Sequence, residues 1–272
     1  SIGQDDWAST FWAHPGSVVI PAALAMGEEE GSTGAEVIVA VVIGYEIMGR
    51  IFLGASSSIE PRFRSTTVIG PFGAAAAAGK LLRLGEEQLA DALGYAANFS
   101  SGFRECFITG FMERKFNDAM ASRNGVMAAL LAKEGAKASR RALEGECGFY
   151  RAFTGTREIA PAATADLGKA FMIMGATYKP YPVDSELQTS VHIALDLAGK
   201  CAIKSKEIGK IIHIWPEDEM TSIPSYNNPG PFISRLTAIQ SIPFTVAATL
   251  VGKPVTDYSF YDHYDDPEEI EV

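Results

Sequence analysis

The sequence predicts a mainly α protein in which a large helical bundle is followed by a smaller α+β domain. From about residue 17 to residue 175 the chain is rich in Ala, Gly and Leu, its apolar residues recur with helical periodicity, and strand signals are nearly absent. Two closely spaced prolines in YKPYPVDSE then break any helix, and the first alternating apolar stretch follows. We therefore expect an all-helical domain at residues 1–175 and an α+β domain at residues 176–272.

Two helices are predicted in the first part of the chain. GAEVIVAVVIGYEIMGRIFLGA is apolar on nearly all faces, which indicates a buried helix that ends near Gly54. GPFGAAAAAGKLLRL indicates a second helix, and its small residues permit a neighbouring helix to approach closely.

Two more helices carry recognisable end signals. GEEQLADALGYAANFSSG places acids in its first turn, where they favour a helix N-terminus. NDAMASRNGVMAALLAKEG places Asn117 or Asp118 at the N-cap and Gly135 just past the C-terminus. Together with the preceding two, these helices predict a bundle with an almost wholly apolar centre.

The part beyond residue 175 mixes helix and strand signals. LQTSVHIALDLAGKCA is typical of an amphipathic helix, and TAIQSIPFTVAATLVGKP of a further helix opened by a proline. EIGKIIHIWPED alternates as a strand does. One face of that predicted strand carries Ile211, His213 and Trp215.

Composition and charge narrow the class of protein. Hydrophobic residues make up 47% of the 272 residues and charged residues 21%, which allows a sizeable core and excludes global disorder. The formal net charge of −10 argues against nucleic acid as a partner, because phosphate binding needs a basic surface. No apolar run is long enough for a membrane span and no signal peptide is visible, so we expect no membrane partner. The cysteines are dispersed and odd in number, which favours reduced thiols in a cytoplasmic protein: Cys106, Cys147 and Cys201.

Several stretches, taken in order, resemble one protein family. They are DDWASTFWAHPG, GYEIMGR, RFRSTTVIGPFGAAAAAGKLL, RKFNDAMASRNGVMAALLA and KPYPVDSELQTSVHIA. On these motifs, which cover nearly the whole chain, the sequence resembles the MmgE/PrpD family. Members of that family include 2-methylcitrate dehydratase, cis-aconitate decarboxylase and iminodisuccinate epimerase.

The resemblance implies an architecture and an assembly. Members have a large helical domain and a smaller α+β lid domain, with the active site between them and with no metal or organic cofactor. They typically form homodimers. Because members extend further at both ends, the resemblance implies that this chain lacks the first helices and the closing part of the helical domain.

The resemblance also assigns site residues where the motifs match. His14 lies in the His-Pro segment that lines the active site, and Asp5 matches an acid of the same loop. Lys115 matches the lysine that opens a K-x-x-H helix, and Lys179 the lysine of the crossing into the lid. Two close neighbours of that crossing are candidates for substrate binding: Tyr181 and Gln188.

This chain departs from the family at positions that are often histidine. Those positions hold Arg64, Asp118 and Glu186. Histidine is the side chain best matched to proton transfer near neutral pH, so these replacements leave the type of reaction open.

The family's reactions share a step in which a proton leaves or joins a carbon next to a carboxylate. Nearby cations stabilise the enolate-like charge of that step, and Lys115, Lys179 and Arg64 are the candidates. Arginine also holds a carboxylate with two parallel hydrogen bonds, which makes Arg64 a candidate for substrate binding. His14 is the leading candidate for moving the proton, with Asp5 as the group that fixes its tautomer.

Asp184 and Glu186 are candidates for substrate binding and for a second acid or base, if they are desolvated. Each candidate also has a structural alternative: Asp184 and Glu186 suit the first turn of the following helix, and Asp118 suits an N-cap. Two further histidines are expected to be structural, because His192 falls on a predicted helix and His213 on a predicted strand.

Three other candidates have structural alternatives of their own. His14 precedes Pro-Gly and could be a capping or packing residue. Lys115 could pair with Glu113, and Arg64 with Glu60 at the surface, where such pairs contribute little.

The leading hypothesis is a cofactor-independent, dehydratase-like lyase that abstracts a proton alpha to a carboxylate of a small di- or tricarboxylic acid such as 2-methylcitrate. Near alternatives are an isomerase (epimerase) or a decarboxylase of a related acid. A different class remains open, in which the chain is a catalytically silent binding or assembly subunit. A third possibility is a reaction on a larger, less charged substrate that uses Arg64 where the family uses histidine.

Overall fold

The structure is a computed structural model that describes residues 5–55, 59, 62–201, 208–214 and 224–266. The chain divides into two compact units. The helical unit contains Asp6–Arg104 and Glu113–Thr177, and the second unit contains Ser1–Asp5, Glu105–Met112 and Tyr178–Val272. The segment Glu105–Met112, which lies inside the predicted helical domain in sequence, thus belongs to the second unit.

Helices dominate the described residues, which confirms the mainly α class. The helical unit holds α1 (Gly16–Glu29), α2 (Gly34–Leu53), α3 (Ser65–Leu81), α4 (Glu86–Asn98), α6 (Glu113–Lys133) and α7 (Phe149–Thr154). The second unit holds α5 (Glu105–Thr109), α8 (Gln188–Lys200), α9 (Arg235–Ile239) and α10 (Ile242–Leu250). A two-stranded sheet pairs β1 (Asp6–Ala8) with β2 (Ala176–Tyr178), and short 3-10 turns complete the described structure.

Helix α2 begins and ends where local signals place it. The Thr33 side chain accepts a hydrogen bond from the main chain of Glu36 and the Glu36 side chain reaches back, which forms a capping box. The helix ends at Leu53, before Gly54, as predicted. The prediction of burial on nearly all faces is wrong for its first half, where Ile38 is 66% exposed.

Helix α3 lies at the centre of the helical unit and is buried along almost its whole length, including the alanine run at 74–78. Its packing against α2 depends on two glycines. A Cβ at Gly44 would lie 2.9 Å from the Gly73 carbonyl oxygen, and a Cβ at Gly73 would lie 2.8 Å from the Gly44 carbonyl oxygen. The two backbones therefore touch directly, which confirms the close approach that the small residues predict.

Helix α6 begins earlier than the sequence predicts. It starts at Glu113, so Asn117 and Asp118 lie in its second turn and neither is an N-cap. The Asp118 side chain is instead buried and bonded to other elements. Past the C-terminus Gly135 has φ of +87°, a left-handed conformation that favours glycine, as its position predicts.

The second unit has its own apolar core, formed largely by α8, α10 and the turn at Tyr258–His263. Helix α8 confirms the predicted amphipathic helix, and α10 carries its proline in the first turn as expected. Aromatic rings stack in this core, with Phe244 and Phe260 centroids 5.7 Å apart.

The strand predicted over EIGKIIHIWPED is wrong for the residues that can be assessed. Residues 208–214 form neither helix nor strand, and Trp215 lies outside the described residues. The His213 side chain is bonded to Ser190 of α8, at 2.9 Å, so side-chain contact rather than strand pairing holds this stretch. No helix in the described part of the chain combines the length and apolar character that crossing a membrane requires.

Candidate active site

His14 lies in the loop between β1 and α1 and is 8% exposed. Its main-chain N–H donates to the Thr66 hydroxyl at 3.1 Å. Its ring Nδ1 lies 2.7 Å from the main-chain carbonyl oxygen of Asp6. A carbonyl only accepts, so Nδ1 carries the proton and Nε2 carries the lone pair. This is the tautomer that a general base requires.

The acid that supports this loop is Asp6, which the sequence reasoning missed. Its carboxylate accepts hydrogen bonds from the Gly16 N–H at 3.0 Å and from the Tyr45 hydroxyl at 2.7 Å, and it is buried. Gly16 is the first residue of α1. The Asp6 carboxylate therefore lies at the N-terminus of this helix, where the helix dipole is positive. The tautomer-fixing role expected of Asp5 thus falls, at Nδ1, to the Asp6 main chain.

Arg64 forms a buried ion pair with Asp118. Both guanidinium Nη atoms donate to the Asp118 carboxylate, and the two side chains are 6% and 8% exposed. Ser17 lies 3.0 Å from the same carboxylate and 2.8 Å from the His14 carbonyl oxygen. Glu60, the alternative partner for Arg64, lies outside the described residues. The pair links α6 and the start of α3 to the His14 loop.

Lys115 is exposed on α6, one turn before Asp118. The helical unit therefore groups His14, Arg64 and Asp118 through a chain of hydrogen bonds, and it leaves Lys115 at the surface.

In the second unit, Lys179 and Asp5 form a buried pair. The Lys179 Nζ lies 2.6 Å from an Asp5 carboxylate oxygen, and the two side chains are 5% and 7% exposed. The structure thus brings together two residues that the family motifs assigned separately.

Gln188 fastens the loop that follows Lys179. Its amide donates to the carbonyl oxygens of Tyr181 and Val183, both at 3.0 Å, and its oxygen accepts from the Tyr181 N–H at 3.1 Å. The Gln188 amide group is thus bonded to the main chain of this loop, and its predicted contact with substrate stays a prediction. The Tyr181 hydroxyl lies 2.9 Å from Nδ1 of His192.

Asp184 belongs to a further polar cluster. Its carboxylate accepts hydrogen bonds from the Tyr226 hydroxyl at 3.0 Å and from the Gln240 amide at 3.4 Å. Tyr226 and Gln240 are buried, and no sequence motif pointed to either residue. Glu186 is half-buried in the 3-10 turn at Ser185–Leu187, which leads into α8. Its position agrees with the structural alternative of an acid beside a helix start.

Metal ligation has no support in the side chains that can be placed. Within the described ranges, no group of three or more His, Cys, Asp and Glu residues is arranged to hold a metal ion.

These features define a class of site. A buried imidazole held by hydrogen bonds on a helical scaffold is the kind of group that general acid–base sites use. The MmgE/PrpD N-terminal domain matches residues 3–162, which are more than half of the chain. The chain belongs to the MmgE/PrpD family.

The curated relatives described next are named cis-aconitate decarboxylase or cis-aconitate decarboxylase-like protein. Cis-aconitate decarboxylase of Aspergillus terreus is 34% identical over 158 residues, which are 55% of this chain and 32% of that protein. Cis-aconitate decarboxylase-like protein oryM of Aspergillus oryzae is 32% identical over 145 residues, 50% of this chain and 30% of that protein. Cis-aconitate decarboxylase of Homo sapiens is 23% identical over 273 residues, 95% of this chain and 54% of that protein. The chain thus spans about a third to about half of the length of these relatives.

Proposed function

We propose that this chain carries proton-transfer machinery of a lyase that acts on a small carboxylic acid. The observation that carries the proposal is the bond between His14 Nδ1 and the Asp6 carbonyl oxygen, which leaves Nε2 as the basic nitrogen. The names of the relatives support an acid as substrate and a carbon–carbon bond as the bond broken.

Two reactions suit this arrangement. In a decarboxylation, the bond to the departing CO₂ breaks and its electron pair remains on the substrate carbon. His14 first takes a proton from water at Nε2 and then delivers that proton to the carbon. In a dehydration, His14 takes a proton alpha to a carboxylate, and a second acid protonates the departing hydroxyl group. We favour decarboxylation, because it requires one proton-transfer group in the carbon-protonation step and the described helical unit presents His14 in that role.

The test is hydrogen–deuterium exchange and conversion followed by NMR. The protein is incubated in heavy water with cis-aconitate, citrate, 2-methylcitrate, malate and itaconate, each alone. Replacing an acid–base group lowers the rate by about 100- to 10,000-fold, so His14→Gln is expected to lose exchange and conversion to that extent. His263→Gln, which alters an exposed histidine, is the matched control and should retain the wild-type rate.

Each outcome has a definite meaning. Exchange that persists in folded His14→Gln would refute the role of His14. Absence of exchange and conversion with every acid in the wild-type protein would refute the lyase and favour a silent binding or assembly subunit.

A further inference from the structure

Two tryptophan rings form a row beside the His14 imidazole. An antiparallel backbone bridge joins Ala8 to Ala13, so Trp7, which precedes Ala8, lies opposite His14, which follows Ala13. The ring centroids of Trp7 and His14 are 5.0 Å apart, with an interplanar angle of 49°. The Trp12 ring packs edge-on against Trp7, with 6.2 Å between centroids. The imidazole ring itself, and not only the main chain of His14, thus contacts an aromatic surface.

Trp12 holds an unfavourable backbone conformation. Its φ is +48°, in the left-handed region that favours glycine and in which bulky side chains are rare. For residues other than glycine this region is disfavoured by roughly tenfold. Two contacts hold the backbone here: the Trp12 carbonyl oxygen accepts a hydrogen bond from the Ser65 hydroxyl, and Ala13 pairs with Ala8. A glycine at position 12 would suit this loop with less strain.

Burial of the Trp12 side chain does not offset this strain. Trp12 is 58% exposed, whereas the adjacent Phe11 is fully buried and packs into the core of the helical unit. Phe11 therefore anchors the loop, and the core does not require the indole of Trp12. Trp7 is half-buried, with Trp12 and His14 as its aromatic neighbours. The strained residue thus presents a large apolar surface to the solvent, one ring away from His14.

An indole surface of this kind binds alkyl and aryl groups. Alkyl groups gain affinity because apolar area is removed from water, and aryl groups gain more by stacking. Complete burial of one methylene group strengthens binding about fourfold, so contact on one side, with half of that free energy, gives about twofold. A four-carbon chain that lies along the two rings therefore gains roughly tenfold or more in affinity.

We propose that Trp7 and Trp12 form an aromatic subsite beside His14, which binds the alkyl or aryl substituent of a carboxylic acid. The inference rests on the proposed function, since it names the class of acid that His14 serves. The preferred substrate is then an acid with an apolar side chain, rather than a compact acid that carries only carboxylates and hydroxyl groups. The strained backbone of Trp12 is the feature that presents the outer ring of this subsite.

The test uses acids that differ in their apolar part and not in charge: succinate, methylsuccinate, butylsuccinate and benzylsuccinate. Titration calorimetry at pH 7 and constant ionic strength gives the affinities. Butylsuccinate and benzylsuccinate are expected to bind at least tenfold more tightly than succinate. The chain has three tryptophans, so in Trp215→Phe the indole fluorescence comes from Trp7 and Trp12. Its emission is expected to change on addition of butylsuccinate.

Trp12→Gly is the decisive variant, because glycine adopts the φ of this position without strain. It is expected to keep the wild-type melting temperature within about 5 °C. Its preference for butylsuccinate over succinate is expected to fall to about threefold or less. Trp12→Phe keeps an aromatic ring and should keep most of the preference. Ile38→Ala, which removes an apolar side chain that is 66% exposed on α2, is the matched control and should keep all of it.

Each outcome decides for or against the subsite. Equal affinity of the four acids, absence of binding, or an unchanged preference in folded Trp12→Gly overturns it, and the His14 exchange assay can still succeed. If Trp12→Gly does not fold, Trp12→Asn gives the same comparison, because asparagine also tolerates positive φ and lacks the ring. Graded binding that depends on Trp12, without exchange of any acid, refutes the lyase and leaves the subsite in place.

Discussion

The carboxylate of Asp6 is expected to stabilise the protein strongly, and Asp6→Ala is the perturbation that tests this. The wild-type carboxylate is 5% exposed and accepts hydrogen bonds from the Tyr45 hydroxyl and the Gly16 N–H. Alanine removes the acceptor of both hydrogen bonds. It also removes the negative charge from the N-terminus of α1.

The magnitude follows from the number and kind of bonds lost. A hydrogen bond to a charged group contributes about 1.5 to 3 kcal/mol, so two such bonds give a loss of about 3 to 6 kcal/mol in the free energy of unfolding. This is a large part of the roughly 5 to 15 kcal/mol that stabilises a typical domain. Tyr45→Phe removes one donor and leaves the carboxylate its second one, so its expected cost is smaller, about 1 to 2 kcal/mol.

Urea unfolding followed by far-UV circular dichroism measures these costs in the two single variants and the double variant. Because Asp6 and Tyr45 are bonded directly, their effects should not add, and the coupling energy should be about 1 kcal/mol or more. Asp265→Ala, which alters an exposed aspartate, is the control and should leave the midpoint unchanged. A cost below about 1 kcal/mol for Asp6→Ala, or additive effects with Tyr45→Phe, would refute this account of the loop.

Two other predictions concern alkaline stability and assembly. Burial raises the pKa of Tyr150 from 10.0 to about 12, so the folded state disfavours the phenolate. Stability is therefore full below pH 10 and is expected to fall by about 3 kcal/mol as the pH rises to 12, a loss that calorimetric melting should find reduced in Tyr150→Phe. Helix α6 exposes Phe116, Met120 and Met127 on one face, and we propose that this face supports a homodimer. Met120→Glu is then expected to convert a dimer to a monomer in sedimentation velocity, whereas a wild-type chain that sediments as a monomer would contradict the prediction.

The elements that the sequence predicted best are those with local signals. The end of α2 before Gly54, the turn at Gly135 and the close approach at Gly44 and Gly73 all depend on residues adjacent in sequence or on side-chain size. The predicted start of α6 was wrong. Asn117 and Asp118 have the residue types of an N-cap, and the local sequence does not show that Asp118 pairs with Arg64, which is distant in the chain.

The sequence predicted which residues to consider for the candidate site, but it did not predict their contacts. His14 and Asp5 are both in polar clusters, but two adjacent acids cannot be told apart by composition, and only the fold shows that Asp6 supports His14 while Asp5 meets Lys179. Tyr226 could not be predicted because its contact with Asp184 joins residues that are far apart in the chain.

Because Glu105–Met112 belongs to the second unit, the two units are not separated by one boundary in the gene. Within that unit, Gly110 packs closely against Thr237, and its carbonyl oxygen accepts a hydrogen bond from Ser234 at 2.7 Å. A gene cut once after Thr177 would therefore separate this segment from the residues that hold it. A single cut therefore cannot divide the gene into two fragments that each encode one whole unit.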